Sequence, residues 1–294
     1  MSPSASPKLV IFGCGYVGTA VALEALRRGV KVTALTRNAT NAHVLREQGV
    51  ATVIADLASD HWHAELRGPF TFALNCVSSG GGGLENYARS YRDGMRSIVA
   101  WMKGHGPVGT CVYTSSTSVY PQGEGVAVIE TSSTDGASER GKIIRESEKT
   151  LVEAEGVCSR WFVLRLAGIY GPGRHHLLEQ VRLGTVAGRG EHRLNLIHRD
   201  DIVRAIWSCF DSPTELANEV FNVADDAPTP KRDVVNWLAQ RVGCPSPRFT
   251  GEPVGQRQTL TPDRLIVNRK IRDMLGWRPA FPDYRAGFND LLSC

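Results

Sequence analysis

Apolar runs rich in β-branched residues recur along the chain and alternate with stretches of helical spacing, the pattern of repeated strand-helix-strand units on a parallel sheet. KLVIFG (8–13) predicts the first strand, and YVGTAVALEALRRG (16–29) a helix that stops at a glycine. Further strands are expected at KVTALTR (31–37), ATVIADL (51–57), TFALNCV (71–77), GTCVYTSS (109–116) and RWFVLRLAG (160–168). LENYARSYRDGMRSIVAWMKG (84–104) sets Leu84, Tyr87, Tyr91, Met95, Ile98 and Met102 on one stripe, expected as a single long helix with the stripe in the core. IIRESEKTLVEAEG (143–156) predicts another helix with Gly156 as its stop. After about residue 170 the alternation weakens, and Pro and Gly multiply in GPGR, DSPTE, DDAPTPKR and GCPSPRFTGEP, as in a second, smaller lobe.

Composition narrows the function classes. The 294 residues include 34 Lys plus Arg against 30 Asp plus Glu, interspersed rather than blocked. That balance is too mild for a nucleic-acid surface and suits a phosphate-bearing small ligand better. No run is long enough for a membrane span, and the polar, proline-bearing MSPSASPK lacks the apolar core of a secretory signal. Seven cysteines (Cys14, Cys76, Cys111, Cys158, Cys209, Cys244, Cys294) are scattered without a CxxC, against a disulfide framework or a structural zinc site. They are expected as reduced thiols of a cytoplasmic protein, and no metal is expected.

The sharpest motif is GCGYVG. Gly13, Gly15 and Gly18 fall between a strand and a helix, where glycine permits a tight turn, lets backbone approach a pyrophosphate, and allows close helix packing. The helix N-terminus adds free N–H groups and partial positive charge, so Tyr16 and Val17 join the cofactor-binding set. At the end of the second strand an NAD-selective site would carry an acid for the ribose hydroxyls, and this chain has Thr36 and Arg37. A guanidinium there accepts a 2'-phosphate, and a charged hydrogen bond of roughly 1.5–3 kcal/mol would favour NADP over NAD by about 10- to 100-fold. The competing reading of Arg37 is a solvated loop charge. Asp56 and Leu57 close the third strand, where the carboxylate can accept from an adenine amino group. NCVSSGGGG (75–83) ends the fourth strand, either as backbone passing against the cofactor at Asn75, Cys76 and Val77 and the substrate at Ser78, or as a surface loop.

TSSTSVYP (114–121), LRLAGIYGPGR (164–174) and IHRDDIVRAI (197–206), together with GCGYVG, make the chain resemble the extended short-chain dehydrogenase/reductases, the NAD(P)-dependent epimerase/dehydratase family, over nearly its whole length. The resemblance implies an α/β fold, a doubly wound Rossmann sheet over residues 1–170 with a C-terminal substrate lobe over 171–294, and segments near 196–226 returning to the first domain. It places Ala167, Gly168 and Ile169 at the cofactor. Arg174 and His175 are candidate substrate residues, with exposed loop histidines as the competing reading of His175 and His176. His198 and Asp201 match an element with a structural role.

The family's catalytic set is Ser/Thr, Tyr and Lys. Ser116 matches its serine, and Glu148 fits a helix Glu that follows the Lys, which puts Arg140 in the Tyr slot and Ile144 in the Lys slot. Arginine does not release its proton in a useful pH range and isoleucine forms no hydrogen bond, so the usual relay is missing. Lys142 is expected to point away into solvent. Tyr113 is expected on the other side of the sheet from Ser116. Tyr120 and Tyr170, in loops at the carboxyl edge, are the candidate acids. Arg140 is either a clamp for an anion or a developing oxyanion, acting with Ser116, or a solvated charge at a helix start. Two functions follow: an NADP-preferring oxidoreductase or epimerase-like enzyme on a small polar carbonyl, hydroxyl or sugar-like substrate, with NAD as the alternative cofactor, or a catalytically silent NADP-binding sensor. The 84–104 helix is a candidate homodimer surface.

Overall fold

The computed structural model describes residues 6–253 and 261–293. Cys294 and most of the polar N-terminal segment lie outside the described residues. The chain divides into two compact units: Met1–Val119, Ala137–Arg165 and Val203–Phe221 form unit 1, and Tyr120–Gly136, Leu166–Ile202 and Asn222–Cys294 form unit 2.

Strands Lys8–Phe12 (β1), Lys31–Thr36 (β2), Ala51–Ile54 (β3), Phe72–Asn75 (β4), Val108–Ser116 (β5), Cys158–Leu166 (β6) and Glu219–Val223 (β7) make one sheet ordered β7-β6-β5-β4-β1-β2-β3. Six of these are the strands expected from the apolar runs; β7 is an addition from the 196–226 region. Strand β1 is the centre, parallel to β2 through Lys8↔Lys31 to Phe12↔Leu35 and to β4 through Leu9↔Phe72 to Phe12↔Asn75. Leu9, Val10, Ile11 and Phe12 are all fully buried, as a strand covered on both faces requires. Helix α1 (Tyr16–Arg27) follows β1 and gives way to Gly29, whose φ of 73° turns the chain back. Helix α2 (Ala39–Glu47) starts at Asn38, whose side chain accepts from Asn41 N. On one face of the sheet Trp62 and Trp101 pack on Phe12, with ring centroids 5.4 and 5.7 Å away.

The expected single helix over 84–104 is three pieces: α3 (Gly83–Ala88), a π turn (Arg89–Asp93) and α4 (Gly94–His105). A spacing rule with one period cannot announce the wider turn. Gly94 presses on Leu57, where a Cβ would come within 3.0 Å of a methyl, and Met95, Ile98 and Met102 beyond it are 1% exposed. Leu84 is 45% exposed, so the stripe is core only in its second half. The next helix, α5, spans Glu139–Val152 rather than 143–156, because Ser138 caps it by accepting from Gly141 N. Strand β6 is tied down by Arg160, whose guanidinium donates to Thr110 Oγ1 (2.9 Å) and to the carbonyls of Pro213 (2.5 Å) and Leu216 (3.0 Å).

Unit 2 has its own core, in which Tyr170, Leu178, Val181, Val234, Leu238 and Phe288 are buried together. Short parallel pairs join 168–170 to 196–198 and 126–128 to 264–266. Asp201 accepts from Ala280 N (2.6 Å) and Phe281 N (3.0 Å), holding the segment after Trp277.

Candidate functional site

Strand order reverses between β1 and β4, and a crevice outside their carboxyl ends is where open α/β sheets bind ligands. In unit 1 that crevice is a cavity of about 530 Å³ lined by Gly13, Gly15, Thr36, Arg37, Asp56, Leu57, Val77 and Ser78, all of them expected. Asn38, Gly80 and Ser90 also line it. Of these, Asn38 had a legible signal, a helix-capping Asn directly after a strand.

The three glycines differ in what they are for. Gly13 has φ 80°, and a Cβ on it would meet Val77 Cα at 2.4 Å, so the β1 and β4 ends touch only through glycine. At Gly18 a Cβ would meet Cys76 Sγ at 2.9 Å and Gly13 O at 3.2 Å, so this glycine seats α1 on the sheet. A Cβ on Gly15 would meet nothing nearer than Gly13 O at 4.0 Å. The protein's own packing does not require glycine there, and the open space above it fits a pyrophosphate approaching the N-terminus of α1, which no side chain caps.

Val17, Asn75 and Cys76, also expected at the cofactor, are not among the residues that line the cavity. Asn75 is 1% exposed and its Oδ1 accepts from Val77 N (3.2 Å), while the Cys76 thiol donates to Gly13 O (3.4 Å). Burial pushes the Cys14 thiol up to about 12, partly offset by Thr19, so it stays protonated beside the glycine loop. Arg37 Nη2 reaches across to Ser79 O (3.2 Å), bringing a guanidinium over the loop after β4. Asp56 is already engaged, accepting from Ala58 N (3.0 Å) and Arg89 Nε (2.9 Å). Burial raises its carboxyl, but those two donors outweigh it and hold the group below its ordinary range.

The second cluster of unit 1 gathers where β5 ends. Ser116 Oγ accepts from Ser118 N (3.1 Å), which fixes its rotamer and leaves its own proton for another acceptor. Ser118 Oγ is buried without a hydrogen-bond partner. Helix α5 enters directly against this turn: a Cβ on Gly141 would lie 2.4 Å from Ser118 O. Arg140, the residue before it, therefore stands at the Ser116–Ser118 turn, with its guanidinium 5.3 Å from the ring centroid of Tyr87. Tyr87 pairs in turn with Tyr91, centroids 4.5 Å apart. In the sequence Tyr87 reads as part of a core stripe; its place at the open start of that stripe, after four glycines, was the available clue.

Beneath the turn lies a buried charge cluster. Glu148 is fully buried, accepts from Ser115 Oγ (2.6 Å), and is gripped by Arg165 through Nε (2.9 Å) and Nη2 (2.8 Å), with Arg145 at 3.0 Å. Ile144 is fully buried, and Lys142 pairs with Glu139 on the exposed side of α5. Tyr113 is fully buried, and burial raises its hydroxyl far above the ordinary range.

Tyr16, also expected at the cofactor, is the half-buried first residue of α1. The other expected site residues belong to unit 2. Tyr120 is 2% exposed and donates to Asn222 Oδ1 at 2.8 Å, so its proton is committed inside that unit; as an acid it is withdrawn. The Tyr170 hydroxyl is pressed on Gly287, where a Cβ would be 1.9 Å away, and burial, with Asp225 and Asp201 nearby, raises it well above its usual range. Ala167 donates its N–H to Val223 O (3.0 Å), and Gly168 and Ile169 pair with Leu196 and Ile197. Arg174 closes a turn with Gly171 through both backbone groups, and His175 Nε2 is 3.9 Å from Glu179.

Comparison with known proteins matches residues 9–224 to the model of the NAD dependent epimerase/dehydratase family. Protein YeeZ of Escherichia coli (strain K12) is 26% identical over 94% of this chain and 97% of its own length. The 2-alkyl-3-oxoalkanoate reductase of Stenotrophomonas maltophilia (strain K279a) is 25% identical over 81% of this chain and 76% of its own length. Among solved structures, the UDP-glucuronic acid 4-epimerase of Bacillus cereus in complex with UDP-glucuronic acid and NAD superposes with a TM-score of 0.82 over 97% of this chain and 99% of that one, at 16% identity, a likeness of fold.

Proposed function

The chain belongs to the NAD dependent epimerase/dehydratase family, and we propose that it is an NADP-preferring oxidoreductase that interconverts a carbonyl and an alcohol on a small polar substrate. A reduced nicotinamide bound in the unit 1 crevice would supply a hydride to the carbonyl carbon. Gly13, Gly15 and the N-terminus of α1 would hold the pyrophosphate, and Arg37, with Thr36 beside it, would take the 2'-phosphate. The observation that carries the reading is Ser116: its hydroxyl is oriented by Ser118 N–H and keeps its own proton for a substrate oxygen. Arg140, which precedes the Gly141 packed on that turn and holds its guanidinium over the Tyr87 ring, would add positive charge where negative charge develops on that oxygen. A carbonyl substrate is consistent with the Stenotrophomonas relative, whose name is that of a reductase.

The test is NADPH oxidation over a panel of carbonyl compounds and sugar derivatives. We expect turnover with at least one, reduced about 100-fold or more by Ser116→Ala. An Arg37→Ala variant should lose about 10- to 100-fold of the NADP over NAD preference, read from the two Kd values. Saturable NADP binding with no turnover across the panel would overturn the enzyme reading in favour of a silent cofactor-binding module, which Arg140 and Ile144 in the two slots would suit.

A further inference from the structure

We infer that Tyr87 is the proton donor of this site and that Arg140 stabilises the phenolate it leaves, a tyrosine and cation pair delivered from two segments instead of one helix. The inference rests on the oxidoreductase reading above and names the group that reading leaves open.

Of the seven tyrosines, Tyr113, Tyr120, Tyr170 and Tyr284 are each 4% exposed or less, which removes them from any substrate. Tyr16 opens α1 with its hydroxyl oxygen buried, which removes it as well. Tyr87 and Tyr91 remain, both half-buried, and Tyr87 is the one whose ring faces a guanidinium, with Arg140 Cζ 5.3 Å from its centroid. A phenolate spreads its charge into the ring, so a cation over the ring face is attracted more strongly after the proton leaves than before. Arginine keeps its charge throughout and is suited to that supporting role.

Position is consistent with chemistry. Gly141 holds the first turn of α5 on Ser118 O, Arg140 precedes it, and Ser116 is fixed by Ser118 N–H in the same turn. Tyr87, on α3, the short helix that follows the loop after β4, meets the Arg140 guanidinium with its ring. The π turn beginning at Arg89 sets Tyr91 against the Tyr87 ring and so steadies it. In the reducing direction a substrate carbonyl oxygen, hydrogen-bonded by Ser116, would gain negative charge as a bound reduced nicotinamide supplied hydride to the carbon. The Tyr87 O–H bond breaks, the alcohol O–H bond forms, and the phenolate remains beside Arg140 until solvent returns a proton.

Two readouts separate this inference from the reading beneath it. Tetranitromethane nitrates phenolates, so at pH 8 the rate of nitration at Tyr87, mapped by peptide mass spectrometry, should fall about 3- to 30-fold in Arg140→Gln and recover in Arg140→Lys, with Tyr91 unchanged. An unaltered Tyr87 rate in Arg140→Gln overturns the pairing whether or not any substrate is found. With a carbonyl that the wild type reduces, Tyr87→Phe, which keeps the ring and its stacking, should lose about 100-fold or more in kcat with NADP affinity intact. Retained kcat in Tyr87→Phe beside a loss in Ser116→Ala overturns the donor and leaves the oxidoreductase standing. No turnover by the wild type overturns the oxidoreductase reading and the donor role together, and the nitration rates then decide the pair alone.

Discussion

The proposed dinucleotide cradle and the Ser116 corner lie in one unit but are made in opposite ways. The cradle is made by leaving side chains out: Gly13 lets Val77 in, Gly18 lets α1 down onto the sheet, and Gly15 opens a space that no protein atom fills. Its charges, Arg37, Asp56 and Arg89, are solvent-facing and bonded to backbone or to each other. The corner is made by burying side chains: Glu148 at full burial holds Arg165 and Ser115, and the turn carrying Ser116 stands on that cluster. A site of the first kind reads a ligand with backbone and tolerates changes in its surface charges. A site of the second kind stands or falls with a few fixed ion pairs.

The largest effect expected from this difference is at Glu148. Glu148→Ala leaves the Arg165 guanidinium, 4% exposed, without its two-pronged acceptor, and breaking such a buried pair costs about 3–5 kcal/mol. Arg145, 46% exposed, adds little to that figure. Urea unfolding should show a midpoint shift of that size, whereas a shift under about 1 kcal/mol would mean that the cluster is no more fixed than a surface pair. Next is Gly13→Ala. It puts a Cβ 2.4 Å from Val77 Cα at a φ of 80°, so the β1 and β4 ends must part, for about 1–3 kcal/mol of overpacking. The sharper readout is NADP binding, expected to fall by about 100-fold or more because the loop proposed to face the phosphates moves. Gly15→Ala meets no protein atom closer than 4.0 Å, so it should leave the unfolding midpoint alone while still weakening NADP.

These contrasts explain what could be read in advance. Strands β1 to β6 are apolar runs bounded by turns, and a fully buried parallel strand is written in consecutive residues, so KLVIFG announces itself. The cradle's glycines sit within six consecutive positions. The corner draws Tyr87, Ser116 and Arg165 from separate segments and Arg140 and Glu148 from α5, and no local spacing joins the four segments. Glu148 and Ser116 could be placed by family resemblance, but Arg165 as the partner of Glu148 could not. The π turn hid Tyr87 within a stripe whose period fitted core, and the cap at Ser138 drew α5 four residues earlier than its apolar pattern suggested. Tyr120 looked available because its sequence neighbours do not reveal Asn222, 102 residues away, as its acceptor.

The smallest effect tests the cradle's side of the contrast. Burial raises the Asp56 carboxyl, the Ala58 N–H and Arg89 lower it, and the balance leaves it below its unfolded value. Such a group contributes stability above its unfolded pKa of about 4, and that contribution is lost as pH falls through the lower folded value. Because the Asp56 side chain is 33% exposed and Arg89 52%, screening limits the contribution to no more than about 1 kcal/mol. Asp56→Asn should therefore unfold at slightly lower urea than the wild type at pH 6, and the gap should close below about pH 3. The same change removes a negative charge that attracts Arg37, so NADP affinity should rise a little while NAD affinity stays level. A gap as wide at pH 3 as at pH 6 would mean that Asp56 acts through packing, and the cradle would then depend on buried side chains as the corner does.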